Sequence, residues 1–174
     1  MGDKIKVIMD CDPGIDDGIA LAYAAAHQDE LELLAVTTSA GSTRIERVTK
    51  NALELVDFYG LKVPVAGGQD RPLVKAAIYA EEFHGETGLG HCVLPEAKTE
   101  AASDNAMFFI RDILNALPEG EQVVMIETAP MTNLALLLKV FPEIKNKIRK
   151  IVFTGGAAKG GNITPAAEFN IYAD

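Results

Sequence analysis

The pattern of apolar and polar positions alternates between two periods along the chain. Lys4-Ile5-Lys6-Val7-Ile8-Met9 predicts a first strand that turns apolar toward its end and stops at Asp10. Pro13-Gly14 marks a turn, and the run from Asp16 to Ala26 predicts a helix with carboxylates in its first turn. Leu31 to Thr38 predicts a second strand, apolar without interruption from Leu33 to Val36, as in a strand covered on both faces. A helix over Ile45–Tyr59 closed by Gly60, and a short strand at Val63–Ala66, come next. Gly67 to Ala102 is the least regular stretch, and a loop of that length in a compact domain is usually functional or disordered. Ser103 is expected to cap a helix running to about Leu117. Gln122–Thr128 predicts the fourth strand, Pro130 opens a helix ending near Phe141, and Ile151–Thr154 is the fifth strand. Strands alternating with helices through short connections imply one domain over residues 1–174, an α/β fold with a parallel, Rossmann-like sheet and helices on both faces.

Charge and composition narrow the function. Lys and Arg number 16 against 25 Asp and Glu, a net charge of −9, which argues against binding a phosphate backbone. The basic stretch Lys145–Lys150 reads as a solvated helix end. The most apolar run, Leu134–Val140, falls far short of a bilayer span, so no membrane partner is expected. Met1–Lys6 is charged and leads straight into a strand, unlike a secretory signal. Two cysteines without CxxC spacing, Cys11 and Cys92, fit a reducing cytoplasm.

The unusual residues cluster at the carboxyl ends of the predicted strands, where parallel α/β sheets bind ligands. Asp10-Cys11-Asp12-Pro13-Gly14-Ile15-Asp16-Asp17 places four aspartates in eight residues. Two carboxylates about 5 Å apart repel by roughly 3 kcal/mol at an effective dielectric near 20, so the cluster calls for a cation or for protons. Oxygen donors alone select a hard ion, Ca²⁺ or Mg²⁺. An EF-hand does not fit, because Ile15 and Leu21 stand where that loop needs Gly and Glu. Each residue singly has a plainer role open to it. Asp16 and Asp17 could cap the helix, and Asp10 could accept from nearby backbone. Thr128 could bond locally or offer its carbonyl to a metal. Asn162, Glu168 and Asn170 could be loop residues or could grip vicinal hydroxyls. His84, in a Gly-flanked loop, is a candidate ligand contact.

Taken together these segments resemble the nucleoside hydrolases, the inosine-uridine preferring nucleoside N-ribohydrolases. The resemblance lies in Asp10–Asp17, in His84-Gly85-Glu86-Thr87-Gly88-Leu89-Gly90, in Thr132-Asn133-Leu134-Ala135, in Gly155-Gly156, and in Gly161-Asn162 with Ala167-Glu168-Phe169-Asn170. It implies Ca²⁺-dependent cleavage of the N-glycosidic bond of a ribonucleoside substrate. Asp12 would be a calcium ligand and the general base for the metal-bound water, with Asp17 as bidentate ligand and the Thr128 carbonyl as another. Asp16, Asn162, Glu168 and Asn170 would hold the ribose hydroxyls, and Asp10 would orient the others from behind. Ser42 stands where the family has Asn, weakening a contact there. Thr154 replaces Met, and Glu127-Thr128-Ala129-Pro130 is unusual. Family members are about twice as long, and their remaining calcium-ligand Asp and a neighbouring His lie in the part with no match here. The expectation is therefore an N-terminal portion of the family's domain, cut short on its C-terminal side, with an incomplete site and an uncovered sheet edge that favours a homo-oligomer. Two rivals stand beside it: a metal- or ribose-binding fragment without turnover, and a Mg²⁺-dependent haloacid-dehalogenase-type phosphotransferase built on Asp10 and Asp12.

Overall fold

The computed structural model describes residues 4–174, so the first three residues of the charged lead-in Met1–Lys6 lie outside the described residues. Five parallel strands form one sheet: β1 (Ile5–Cys11), β2 (Leu31–Thr38), β3 (Val65–Ala66), β4 (Val123–Glu127) and β5 (Ile148–Phe153). Their order is β3-β2-β1-β4-β5. The order grows outward from β1 in both directions, so β1 and β4 flank the point where it reverses, the place where such sheets bind ligands.

Helices lie on both faces. α1 (Ile15–Ala26) and α2 (Ile45–Phe58) cover one side with Met9, Cys11, Val36 and Val65 beneath them. On the other side, α4 (Ala106–Ala116) and α5 (Thr132–Val140) bury Ile8, Ala35, Val123 and Met125. Consecutive residues of a strand face opposite ways, so Ile8 and Met9 enter different cores and β1 is apolar throughout its middle. Each fully buried Ile, Leu or Met contributes about 1.5–3 kcal/mol relative to exposure, which makes these two layers the source of the site's rigidity. A short α3 (Glu81–His84) lies in the long β3–α4 connection, and α6 (Phe169–Ala173) ends the chain. No helix among the described residues is long and apolar enough to cross a membrane.

Three boundaries differ from the sequence reading. The basic stretch is not only a helix end: a 3-10 turn over Pro142–Lys147 leads directly into β5, which starts at Ile148, three residues early. Its charges are tolerated because Arg149 and Lys150 sit on an exposed edge strand. The α4 cap is Asn105, whose side chain accepts from Phe108 N–H at 3.3 Å, while Ser103 accepts from Asn105 N–H at 3.0 Å. β3 shrinks to two residues, extended only by an isolated bridge from Ala66 to Ser103.

Candidate active site

Asp10 and Cys11 end β1, and Asp12-Pro13-Gly14 turns the chain into α1. Gly14 opens that helix without a capping side chain, and a Cβ there would lie 2.6 Å from His84 Nδ1 and 2.8 Å from Ser42 Oγ. Only glycine lets the β2–α2 loop and α3 close over the turn. The turn is then held by its own carboxylates. Asp17 Oδ2 accepts the Asp12 N–H at 2.9 Å, and Asp12 Oδ2 accepts from Ser42 N–H and, at 2.9 Å, from Ser42 Oγ. Ser42 therefore grips Asp12 through two donors.

Asp10 lies beneath, on the α5 side of the sheet. Thr37 Oγ1 donates to its Oδ1 at 2.5 Å, and Asn133 Nδ2 donates to Oδ1 and Oδ2 at 2.9 and 3.2 Å. Asn133 also donates to the Thr38 carbonyl at 2.9 Å and accepts from Gln69 N–H, so one buried amide ties β1, β2 and the β3–α4 connection together. The Thr-Asn pair opening α5 was visible in the sequence, but its role needed the geometry. Glu127 is opposite Asp10 in the β1–β4 register. It is fully buried, neither of its oxygens meets a hydrogen-bond donor among the described residues, and Asp10 is the charge it faces.

Burial pushes these carboxyls up. Asp10 is raised from 3.8 to about 6, burial outweighing its bonds from Thr37 and Asn133. Asp17 is raised to about 6 as well, burial outweighing bonds from Thr128 and the Asp12 backbone. Asp12 is held well above the usual carboxylate range by burial first and then by the charge of Asp17. Glu127 is raised well above its usual value by burial and then by Asp10. Several acids are thus packed into a small volume, and among the described residues no Lys or Arg forms an ion pair with Asp10, Asp12, Asp17 or Glu127.

Above this cluster opens a cavity of about 230 Å³, and most of the candidate residues meet on its wall: Asp12, Asp16, His84, Thr128, Asn162, Glu168 and Asn170. Asp10 and Asp17 are not on the wall. Asp16 is exposed, and His84 Nδ1 accepts the Ile15 N–H at 3.3 Å with Asp16 Oδ1 4.0 Å away. The three residues near the C-terminus are tied to backbone. Glu168 caps α6, accepting from Asn170, Ile171 and Gly156 N–H groups at 3.0–3.2 Å, and Asn162 Oδ1 accepts from Phe169 N–H at 2.8 Å. Asn170 Nδ2 donates to the carbonyls of Thr128 and Thr154 at 2.8 and 2.9 Å. The Thr128 carbonyl keeps one lone pair for another partner.

The donor set suits a hard cation in kind: Asp12 and Asp17 carboxylates and the Thr128 carbonyl, all oxygen, beside acids that lack a balancing charge. Among the described residues no group of three or more His, Cys, Asp or Glu side chains is placed to hold a metal. An ion here would thus rest on two carboxylates and a main-chain oxygen, the sparse coordination that leaves positions for water or substrate.

Comparison with known proteins follows the same lines. The family model for the inosine-uridine preferring nucleoside hydrolases matches residues 7–174. The chain belongs to that family. As a nucleoside hydrolase family member it is similar to the pyrimidine-specific ribonucleoside hydrolase RihA of Photobacterium profundum, with 47% identity over 97% of this chain and 54% of the relative. It is 43% identical to the non-specific ribonucleoside hydrolase RihC of Escherichia fergusonii, over 98% of this chain and 55% of the relative. The solved purine-preferring ribonucleoside hydrolase from Gardnerella vaginalis superposes with a TM-score of 0.89 at 35% identity, covering 97% of this chain and 54% of the other. The chain spans about half the length of the curated relatives it matches. Membership of the nucleoside hydrolases sets aside the haloacid-dehalogenase-type reading.

Proposed function

We propose that this site cleaves the N-glycosidic bond of ribonucleosides, releasing ribose and a free base, with Ca²⁺ as its metal. The observation that carries the reading is the buried Asp10, Asp12 and Asp17 cluster at the carboxyl end of β1, with Asp12 on the wall of a cavity that polar side chains share with Phe83 and Phe169. Asp12, Asp17 and the Thr128 carbonyl would hold the ion. When bound, a dication lowers the pKa of a coordinated water and so supplies a nucleophile near neutral pH.

The chain's own groups account for the rest. Asp12, on the cavity wall and raised by burial, takes the proton of the attacking water. Ser42 fixes the carboxylate that does so, with two donors on one oxygen. Asp16, Asn162, Glu168 and Asn170 surround the sugar and hold its hydroxyls, which turns binding energy into orientation of the anomeric carbon. Positive charge develops on the sugar as the glycosidic bond breaks, and the surrounding carboxylates favour it. Asp10 positions Asp12 by anchoring the end of β1 through Thr37 and Asn133. His84 stands on the wall beside Asp16, within reach of a bound nucleoside. Cys11 and Cys92 are both free thiols, which supports a reducing, cytoplasmic setting.

One observation favours a second reading, binding without turnover. The Asn170 amide takes one of the two lone pairs of the Thr128 carbonyl, leaving a single one for an ion. Titration calorimetry separates the two readings from a null site. Both predict saturable Ca²⁺ binding that Asp17→Asn removes and that ribose tightens. Heat that does not saturate, or binding indifferent to Asp17→Asn, refutes the site.

A further inference from the structure

One inward position of α2 is polar. Its buried residues are Val48, Asn51, Ala52, Leu55 and Val56, and Asn51 is only 2% exposed among them. A buried amide is costly unless its hydrogens are bonded. Asn51 Nδ2 donates to the Pro13 carbonyl at 3.0 Å and to the Thr87 carbonyl at 2.8 Å. Pro13 belongs to the aspartate turn, and Thr87 to the 84–90 loop that begins with His84. That loop closes on itself, Gly90 N–H donating to the His84 carbonyl at 2.7 Å and Thr87 Oγ1 to the Gly90 carbonyl at 3.1 Å. Leu89 seats it in the core that α2 covers. The fit around the amide is close. At Gly88, whose φ is +80°, a Cβ would lie 2.7 Å from Asn51 Nδ2 and 3.3 Å from the Pro13 carbonyl oxygen.

Among the described residues, the only hydrogen bond that joins α1 directly to this loop runs from Ile15 N–H to His84 Nδ1, at 3.3 Å. A bond that long records where the ring sits more than it holds the ring there. It does define the ring chemically. A neutral imidazole that accepts at Nδ1 carries its hydrogen on Nε2, and the opposite tautomer would set two N–H groups against each other. The tautomer therefore depends on the spacing between turn and loop, and Asn51 is a buried group bonded to both. We propose that Asn51 is a positioning residue: it ties the 84–90 loop to the aspartate turn and so fixes the place and the tautomer of His84 on the cavity wall. Asn51 reaches the site only through these two carbonyls, and what it sets is the orientation of a ring that faces the ligand. The proposal rests on the ribonucleoside reading only for what His84 then meets.

The test is ¹⁵N NMR of the histidine rings in the full chain at pH 8, above the ordinary imidazole value of about 6.5, together with amide exchange. The chain has three histidines, and His84→Gln identifies the His84 signals. The expected wild-type result is a single tautomer, with Nδ1 bare and Nε2 protonated. Asn51→Ala removes both donors. Gly88→Ala leaves Asn51 in place and sets a methyl group against its Nδ2, so it carries the test by itself should Asn51→Ala fail to fold. Each variant is expected to turn the His84 signals into an average of two tautomers and to speed amide exchange across 85–90 at least tenfold, with exchange in β1 and β4 unchanged. A His84 ring that keeps one unaltered tautomer in both variants overturns the proposal, as does unchanged exchange across 85–90. Ribose release is scored separately. Tautomer loss in the variants of a chain that releases no ribose keeps the positioning role and removes the nucleosidase reading. Release from a chain whose variants keep the wild-type tautomer removes the positioning role and keeps the nucleosidase reading.

Discussion

Raising the pH in the absence of divalent cations is expected to destabilise this fold, against the usual trend for acidic proteins. Asp10 is raised from 3.8 to about 6 by complete burial, and Asp17 likewise to about 6. A carboxyl with a raised folded pKa keeps its proton longer in the native state than in the unfolded one. Its contribution is fully present below the unfolded pKa near 4 and is lost as pH rises through 6. A shift of about two units is worth about 3 kcal/mol for Asp10 alone, a large share of the 5–15 kcal/mol that holds a domain together. Asp12 and Glu127 move the same way. Asp57 is half-buried and lowered by its bonds from Thr99, so it acts only below the window of interest. Urea unfolding followed by circular dichroism, in chelator, should show stability falling by about 3 kcal/mol or more between roughly pH 4.5 and 7.5. Ca²⁺ at about a hundred times its dissociation constant should restore about 2.7 kcal/mol at the upper pH and far less at the lower, where protons occupy the ligands. A chelated protein whose stability is flat or rises over that range would refute the reasoning, as would Ca²⁺ stabilisation equal at both ends.

Three substitutions extend the test. Glu127→Gln removes a buried acid and aims an amide donor at Asp10, so the chelated protein should gain about 1–3 kcal/mol at neutral pH by urea unfolding. A loss there would mean that Glu127 is already satisfied. Gly41→Ala places a Cβ on Asp12 Oδ2 and 2.8 Å from Pro130 Cδ, and should weaken Ca²⁺ binding at least tenfold in calorimetry with helix content kept. Unchanged affinity would show that Asp12 can move without consequence. Asp12→Asn should raise stability in chelator at neutral pH and abolish any metal-dependent ribose release, and release surviving the change would exclude Asp12 as the base.

The central architecture was legible because its physics is local. Strands covered on both faces read as unbroken apolar runs, and Ile8 and Met9, buried in opposite cores, are the plainest case. The aspartate cluster was legible because four acids after a buried strand is an expensive arrangement. β5 was read three residues short because its charged start lies on an exposed edge, where periodicity carries no burial signal. The irregular Gly67–Ala102 connection is held by distant backbone bonds, such as Ala80 N–H to the Gly41 carbonyl at 3.1 Å, which no sequence period records. Glu127 could have been found: Val123, Met125 and Glu127 alternate, so an acid stands at an inward position. Glu168 and Asn170 stood among the candidates, but their bonds to the Gly156 amide and the Thr128 carbonyl could not be read, since they join separate segments of the chain.

Ribose release from inosine and uridine, assayed as reducing sugar with Ca²⁺ and again with chelator, tests the central claim most directly. The account predicts release that chelator stops and Ca²⁺ restores. Release that is indifferent to chelator, or none from the Ca²⁺-loaded chain, would contradict it.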